Sequence, residues 1–396
     1  MKLKKAAAVL VAAAFILAPV VYAKQKPVTI GKAAAKGKVS VSLEQRAMAG
    51  LRSATKYFMT AQKPDGSWND DPAITALVAY SLMLDPVYTP DKKVPAAIQK
   101  GLNYVAKFAQ PDGGIYRKEL SNYTTAVCLM ALTRSNQKQY GNVIAGARKY
   151  LIETQVDEGE GYTSDKVYYG GHGYGGANSD GRPDMSNTWL ALSAIRAAEQ
   201  YQDRFSGVVP KDKGQVEREE KEMGLHWQKA LAFINRCQNN KAVNDQPYTM
   251  DDGGFIYETG TYKKERSHSY GSMTYAGVMS LLIARTDKSD PRVKKAVEWI
   301  RANYTLDTNP GFGTESIFYY YTTFAKCMDL INEDVITDTM GKQHRWREEL
   351  VHKLVSLQKG EGYWQNPNNR YMENMKELAT AYSVIALKHA LRHQSL

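Results

Sequence analysis

The segment Arg182-Pro183-Asp184-Met185-Ser186-Asn187-Thr188 places a guanidinium, a carboxyl and a side-chain amide just ahead of an apolar run that opens at Trp189. A carboxyl at a helix start either caps free backbone N–H groups or, shielded from water, keeps a proton for general acid work. Asp184 is therefore the first catalytic candidate, with Arg182 and Asn187 as ligand-binding neighbours. Upstream, Tyr168-Tyr169-Gly170-Gly171-His172-Gly173-Tyr174-Gly175-Gly176 contributes His172 and Tyr174 as binding candidates. No strand precedes these glycines, so a dinucleotide fingerprint is not indicated. Ser267-His268-Ser269-Tyr270 adds His268 as a second catalytic candidate and Tyr270 as a binding one. In Phe318-Tyr319-Tyr320-Tyr321, Tyr320 is the third catalytic candidate, flanked by Tyr319 and Tyr321 as binding candidates. Arg370 joins the set from a segment that also holds Asn366 and Glu373.

These residue types support more than one chemistry. With an isoprenoid, the aromatic rings wall an apolar pocket and stabilise cations, while arginine holds a phosphate or polar head. With an acidic polysaccharide, Tyr stacks on sugars, Arg neutralises a uronate, and Tyr or His removes the proton in β-elimination. Asp184 and Glu373 form the kind of carboxyl pair used in glycoside hydrolysis, although sequence gives no spacing for them. Tyr rings can also simply line and stiffen a channel as packing.

The elements that must position these residues repeat along the chain. Each unit shows an amphipathic helix ending near a Gln, a Gly-rich turn with an aromatic, and an apolar helix opening at Thr. The units hold Gln62 with Asp65-Gly66-Ser67-Trp68 and Thr75; Gln110 with Asp112-Gly113-Gly114 and Thr124-Thr125; and Gln155 with Gly159-Glu160-Gly161-Tyr162 and Thr188. Three more hold Gln238 with Asp252-Gly253-Gly254-Phe255 and Thr274; Asn303 with Gly311-Phe312 and Thr322-Thr323; and Gln358 with Gly362-Tyr363-Trp364 and Thr380. The Gln is expected to reach the free N–H groups of a neighbouring helix start. First helices are amphipathic, as in Val293, Ala296, Val297 and Ile300. Second helices are apolar nearly all round, as in residues 189–195, and so need cover on both sides. The end units are as apolar as the middle ones. This predicts an all-α fold in which six outer helices surround six inner ones in a closed double ring, because an open solenoid would need polar caps.

Gln62-x-x-Asp65-Gly66-Ser67-Trp68 resembles the Gln–Trp repeat of squalene–hopene and oxidosqualene cyclases, which recurs in degenerate form in protein prenyltransferase β subunits. Within this terpenoid cyclase/prenyltransferase superfamily the chain is most similar to a bacterial secreted subgroup with prenyltransferase and squalene-oxidase repeats. The resemblance spans about residues 47–391 and implies an α/α toroid whose inner-helix N-termini face one mouth of a central cavity. Both known catalytic sets are incomplete. Of the cyclases' Asp-x-Asp-Asp-Thr acid motif only Asp184 and Thr188 match, with Ser186 and Asn187 at the other two carboxylates. Of the prenyltransferases' zinc set Asp184 matches, Ser186 stands at the thiolate, and His268 falls several residues early. The expectation is thus a cavity-binding protein without metal or cofactor, and it stays open whether it is a catalyst. An isoprenoid-like ligand, an acidic glycan handled by a lyase or binding protein, and a non-catalytic interaction scaffold remain the alternatives.

Composition narrows the partners. Lys+Arg is 52 and Asp+Glu 41, a formal charge of +11, and Tyr numbers 26 against 9 Phe. Lys2, Lys4 and Lys5 precede an apolar run from Ala6 to Val21, followed by Val21-Tyr22-Ala23, which reads as a secretory signal peptide over residues 1–23. A basic tail is expected over residues 24–46 and the toroid over 47–396. Three positive charges fall in the signal and a net five in the tail, leaving +3 for the rest, too little to indicate nucleic acid. A monomer exported to the periplasm or beyond, with no membrane span after processing, is expected. Cys128, Cys237 and Cys327 read as buried apolar residues rather than ligands. Residues 200–224 read as a solvated, charged helical excursion between the third and fourth units.

Overall fold

Five threonines mark how the hairpins form. The hydroxyl oxygens of Thr75, Thr125, Thr188, Thr274 and Thr380 accept the backbone N–H of Trp68, Ile115, His172, Phe255 and Trp364 respectively, at 2.8–3.1 Å. Each bond ties a turn to the helix that follows it. The computed structural model describes residues 42–84, 94–175, 181–205, 213–260, 267–284 and 286–391, except the side chains of 213–219. The expected signal peptide, most of the basic tail and Gly176 lie outside the described residues.

Twelve α-helices among the described residues form six hairpins: α1 (Leu43–Ala61) and α2 (Pro72–Leu82), α3 (Ala96–Ala106) and α4 (Ser121–Ser135), α5 (Gly141–Glu153) and α6 (Met185–Phe205). The other three are α7 (Lys213–Cys237) and α8 (Gly271–Ile283), α9 (Pro291–Ala302) and α10 (Ile317–Ile331), α11 (Trp346–Leu357) and α12 (Lys376–Leu391). A short antiparallel hairpin, β1 (Ile336–Thr337) and β2 (Gln343–His344), joins α10 to α11. Even-numbered helices are inner: α8 is buried on all sides, whereas α9 buries only Val293, Ala296, Trp299 and Ile300. Each inner helix packs on the next, and α12 packs back on α2 while α11 meets α1. The double ring is closed, which is how an all-round apolar inner helix is covered.

The Gln of the repeat works differently from the sequence expectation. It donates to carbonyls rather than receiving N–H groups. Gln62 Nε2 bonds the oxygens of Gly66 and Ala97, Gln155 those of Gly170 and His226, and Gln238 those of Gly253 and Arg292. In each case one acceptor is the turn glycine and the other lies in the next outer helix. Gln358 repeats this with Gly362 and Gly50, joining the last unit to the first. The turn glycine packs on the same neighbour. A Cβ at Gly170 (φ +88°) would stand 1.8 Å from the Lys229 oxygen, and one at Gly362 (φ +94°) 2.5 Å from that of Ser53. The third unit's turn is therefore Gly170-Gly171-His172, not Gly159-Glu160-Gly161, which belongs to a 3-10 turn at 158–160. The helical part also starts earlier than residue 47. Ser42 and Gln45 form a capping box, so Leu43–Arg46 already belong to α1.

Neighbouring units cap one another around the ring. The Tyr174 oxygen accepts from Asn122 N at the start of α4, and the Tyr257 oxygen from Met185 N at the start of α6. Asn309 Oδ1 accepts from Ser272 N at the start of α8, and Glu373 Oε1 from Tyr319 N at the start of α10. Cations hold the opposite ends: Arg134 on the Met83 oxygen, Arg196 on Ile283, Lys288 on Ile331 and Arg347 on His389. The inner helices thus run parallel, with positive dipole ends at one mouth and negative ends at the other.

Candidate functional site

The mouth at the inner-helix N-termini gathers two buried carboxyls and a group of tyrosines. Asp184 is 3% exposed. Its Oδ1 accepts from Asn187 N at 2.8 Å and its Oδ2 from Asn187 Nδ2 at 2.7 Å, so it caps α6. Burial pushes its carboxyl up to about 7, against the hydrogen bonds from Asn187, Tyr257 and the Ser186 N–H that favour the charged form. Glu373, 1% exposed, caps α10 from the neighbouring unit and also accepts from Asn366 Nδ2 at 3.0 Å. Burial pushes it up to about 7 as well, opposed by Asn366 and the N–H groups of Tyr319, Phe318 and Ile317. Near neutral pH either group can hold or release a proton, the condition for general acid or base work.

Tyr319 links the two. Its hydroxyl lies 2.7 Å from Ser186 Oγ on the Asp184 turn, and its backbone N–H is the one Glu373 caps. Tyr174, Tyr257 and Tyr270 complete the group. Burial, then the charge of Asp184, raises the phenols of Tyr174 and Tyr257. Burial also raises those of Tyr319 and Tyr270. Tyr270 stacks on Phe312 with ring centroids 4.8 Å apart, and Tyr174 forms the exposed lip beside Tyr123. The oxygens Asn187 Oδ1 and Asn122 Oδ1 are buried here without a partner, leaving acceptors for a ligand or water.

The structure thus brings together Asp184, Asn187, Tyr174, Tyr270 and Tyr319 from the sequence candidates. Arg182 is exposed on the chain leading to Asp184. Arg370 is exposed too, paired with Glu315 at 2.9 Å and lying over the Tyr371 ring. His268 is exposed on the loop before α8 and makes no hydrogen bond to this group. Tyr320 and Tyr321 do not join it. At 100° per residue consecutive positions face apart, and their hydroxyls donate to the oxygens of Thr305 and Leu306 on the outer side. His172 lies away from the mouth, in the turn slot that Trp68, Phe255 and Trp364 fill in other units. Its Nε2 donates to the Leu151 oxygen at 2.9 Å, its ring packs on His226, and burial drives it down to about 4.

Below the mouth the inner faces of α2, α4, α6, α10 and α12 leave a cavity of about 30 Å³. Leu77, Val127, Met130, Leu190 and Ile385 supply apolar wall, and Tyr80, Tyr123, Trp189, Tyr319 and Tyr382 supply rings. Lys326 is the lining residue that carries a charge. Sequence reasoning passed over it, although a lysine inside an apolar inner helix, seven residues on from Tyr319, was visible. Tyr123, Trp189, Tyr257 and Tyr382 were also missed. Only the ring geometry says which face of each inner helix looks inward. The zinc of protein prenyltransferases has no ligand set to fit: Ser186 bonds Tyr319, and no group of three or more His, Cys, Asp or Glu among the described residues could hold a metal. Cys128, Cys237 and Cys327 are free and buried in their helices. No described helix is long and apolar enough to cross a membrane.

A closed ring of six hairpins with a central aromatic cavity defines a terpenoid-cyclase-like α/α toroid. A variant of the type II terpene cyclase MstE from Scytonema, solved with its substrate geranylgeranyl dihydroxybenzoate, matches with a TM-score of 0.51 and 11% identity, covering 88% of this chain and 99% of that chain. The apo form of the same cyclase matches at 0.48 and 11%, covering 89% and 99%. A protein from Actinoplanes matches at 0.45 and 14%, covering 88% and 100%. At these identities the likeness is one of fold. No protein-family model and no curated protein matches the sequence.

Proposed function

We propose that this protein binds an apolar, isoprenoid-like molecule in the centre of its inner ring, with Asp184 the group that would protonate it if it is transformed. The observation that carries the reading is the cavity wall, aliphatic and aromatic on five inner helices. The toroid it resembles in fold was solved with a geranylgeranyl-bearing substrate, which supports the same ligand class. The cavity is far below the several hundred Å³ of a ligand-filled pocket, so Tyr123, Tyr319 and Tyr382 must swing aside on entry. Asp184 suits a proton donor because burial keeps it neutral to about pH 7. The lyase reading has less behind it. A base in β-elimination needs a phenol that ionises readily, and those of Tyr174, Tyr257, Tyr270 and Tyr319 are all held up. Export is part of the proposal, on the strength of the lysines and apolar run of residues 1–23. Native mass spectrometry of the full chain after gentle purification, followed by organic extraction, tests the reading. A released lipid is expected. An apo mass that also takes up no added prenyl compound would overturn it.

A further inference from the structure

Lys326 sits on the third turn of α10, on the face shared with Tyr319 and Thr322 that lines the central cavity. Its Nζ stands 4.9 Å from the centroid of the Trp189 ring and 5.8 Å from that of Tyr80. No hydrogen bond or ion pair engages it. Other cations towards that end of the ring are committed. Arg134 caps α2, Arg196 holds the Ile283 oxygen and Glu199, and Arg347 holds the His389 oxygen with Asp329 and Asp334. An ammonium half-withdrawn from water against two aromatic faces recovers part of its hydration through cation–π attraction. Its three donors stay unused.

We infer that Lys326 is the counter-ion for a carboxylate on the ligand of the central cavity, an inference that rests on the cavity reading above. One point charge matches one monoanion. A phosphate or diphosphate carries more negative charge than one ammonium balances, and no second cation among the described residues lines the cavity beside the lysine. Tyr80, in the last turn of α2, marks the carbonyl rather than the N–H ends of inner helices at this level. The ligand class is therefore an amphipathic acid. Its apolar body lies along Leu77, Val127, Leu190 and Ile385, and its carboxylate points away from the tyrosine mouth towards Lys326.

Retinoic acid and methyl retinoate share one isoprenoid body and differ in the charge. Both quench tryptophan emission by energy transfer, and Trp189 lies in the cavity wall. Titrated into the full chain, the acid should bind at least ~10-fold more tightly than the ester. Lys326→Met should bind the two alike, and Lys326→Arg should restore a preference. Lys326→Gln replaces the Met variant if that one does not fold. Equal binding of acid and ester by the wild type, or a preference that survives in Lys326→Met, overturns the role of Lys326 and leaves the cavity reading standing. Binding of neither compound overturns both.

Discussion

Asp184→Asn should stabilise the protein more at pH 8 than at pH 5, because the wild-type carboxyl resists ionisation in the fold. Burial raises it from its ordinary 3.8 to about 7. A raised acid contributes stability that is fully present below the unfolded value and is lost as pH rises through the folded value. At pH 5 the folded group keeps its proton while the unfolded one has mostly lost it, a loss of about 2 kcal/mol. By pH 8 both forms are mostly ionised and the loss has grown to about 4 kcal/mol. Asn is neutral throughout and can still accept from Asn187. The stability difference between variant and wild type should therefore widen by roughly 2–3 kcal/mol from pH 5 to pH 8. Urea unfolding followed by circular dichroism at both pH values measures this, and the contributions of His172 and Glu373 cancel in the comparison. Parallel pH profiles would refute the reasoning. So would a variant penalised more at pH 8 than at pH 5, which would mean that helix capping keeps Asp184 ionised despite its burial.

His172→Phe gives the third unit the residue type that Phe255 supplies in the fourth. His172 is held down at about 4, so its contribution is present above 6.5 and fades as pH falls towards 4; the variant should gain about 2 kcal/mol at pH 5 relative to pH 7.5 in the same unfolding assay. Gly362→Ala must relieve both a φ of +94° and a 2.5 Å approach to the Ser53 oxygen, so it should destabilise by about 2–3 kcal/mol. Gly360→Ala, whose Cβ meets nothing within 4 Å, should change stability by less than about 0.5 kcal/mol. Tyr320→Phe loses one bond to the Thr305 oxygen, about 1 kcal/mol of stability, and should leave retinoic acid quenching unchanged, whereas Tyr319→Phe should alter the quenching.

The ring was legible because its signals are local and repeated. Thr75, Thr125, Thr188, Thr274 and Thr380 recur at the start of apolar runs, and the structure gives all five one task. The partners of Gln62, Gln155, Gln238 and Gln358 were not legible, since the second acceptor of each lies in the next outer helix and depends on how hairpins dock, whereas Gln110 bonds the oxygens of Phe108 and Tyr116 in its own unit. The third turn was misplaced because two Gly-rich stretches compete there. Only Gly170 has the neighbour, the Lys229 oxygen, that makes a glycine obligatory. At the mouth, position before a helix start pointed to Asp184 and Tyr319, since that position fixes the end of the ring. It could not separate Tyr319 from Tyr320 and Tyr321. The rotation of α10 decides that, and it is set by packing on α8 and α12 rather than by composition.

The parallel inner helices set up a balance at the mouth that ligand entry would disturb. Their N–H ends favour carboxylates at Asp184 and Glu373, while burial favours the neutral acids. The two effects meet near neutrality, where a small change in hydration moves a proton. An apolar ligand beneath Tyr319 would expel water without adding hydrogen bonds, and so tip both groups further towards the neutral form. Binding would then take up protons, and by linkage the affinity for a neutral ligand must fall as pH rises past 7. Methyl retinoate, which has no charge of its own to titrate, should bind more weakly at pH 8 than at pH 6. Asp184→Asn should remove part of that dependence. A pH-independent affinity in the wild type would mean that the cavity and the carboxyls do not communicate, and that Asp184 only caps its helix.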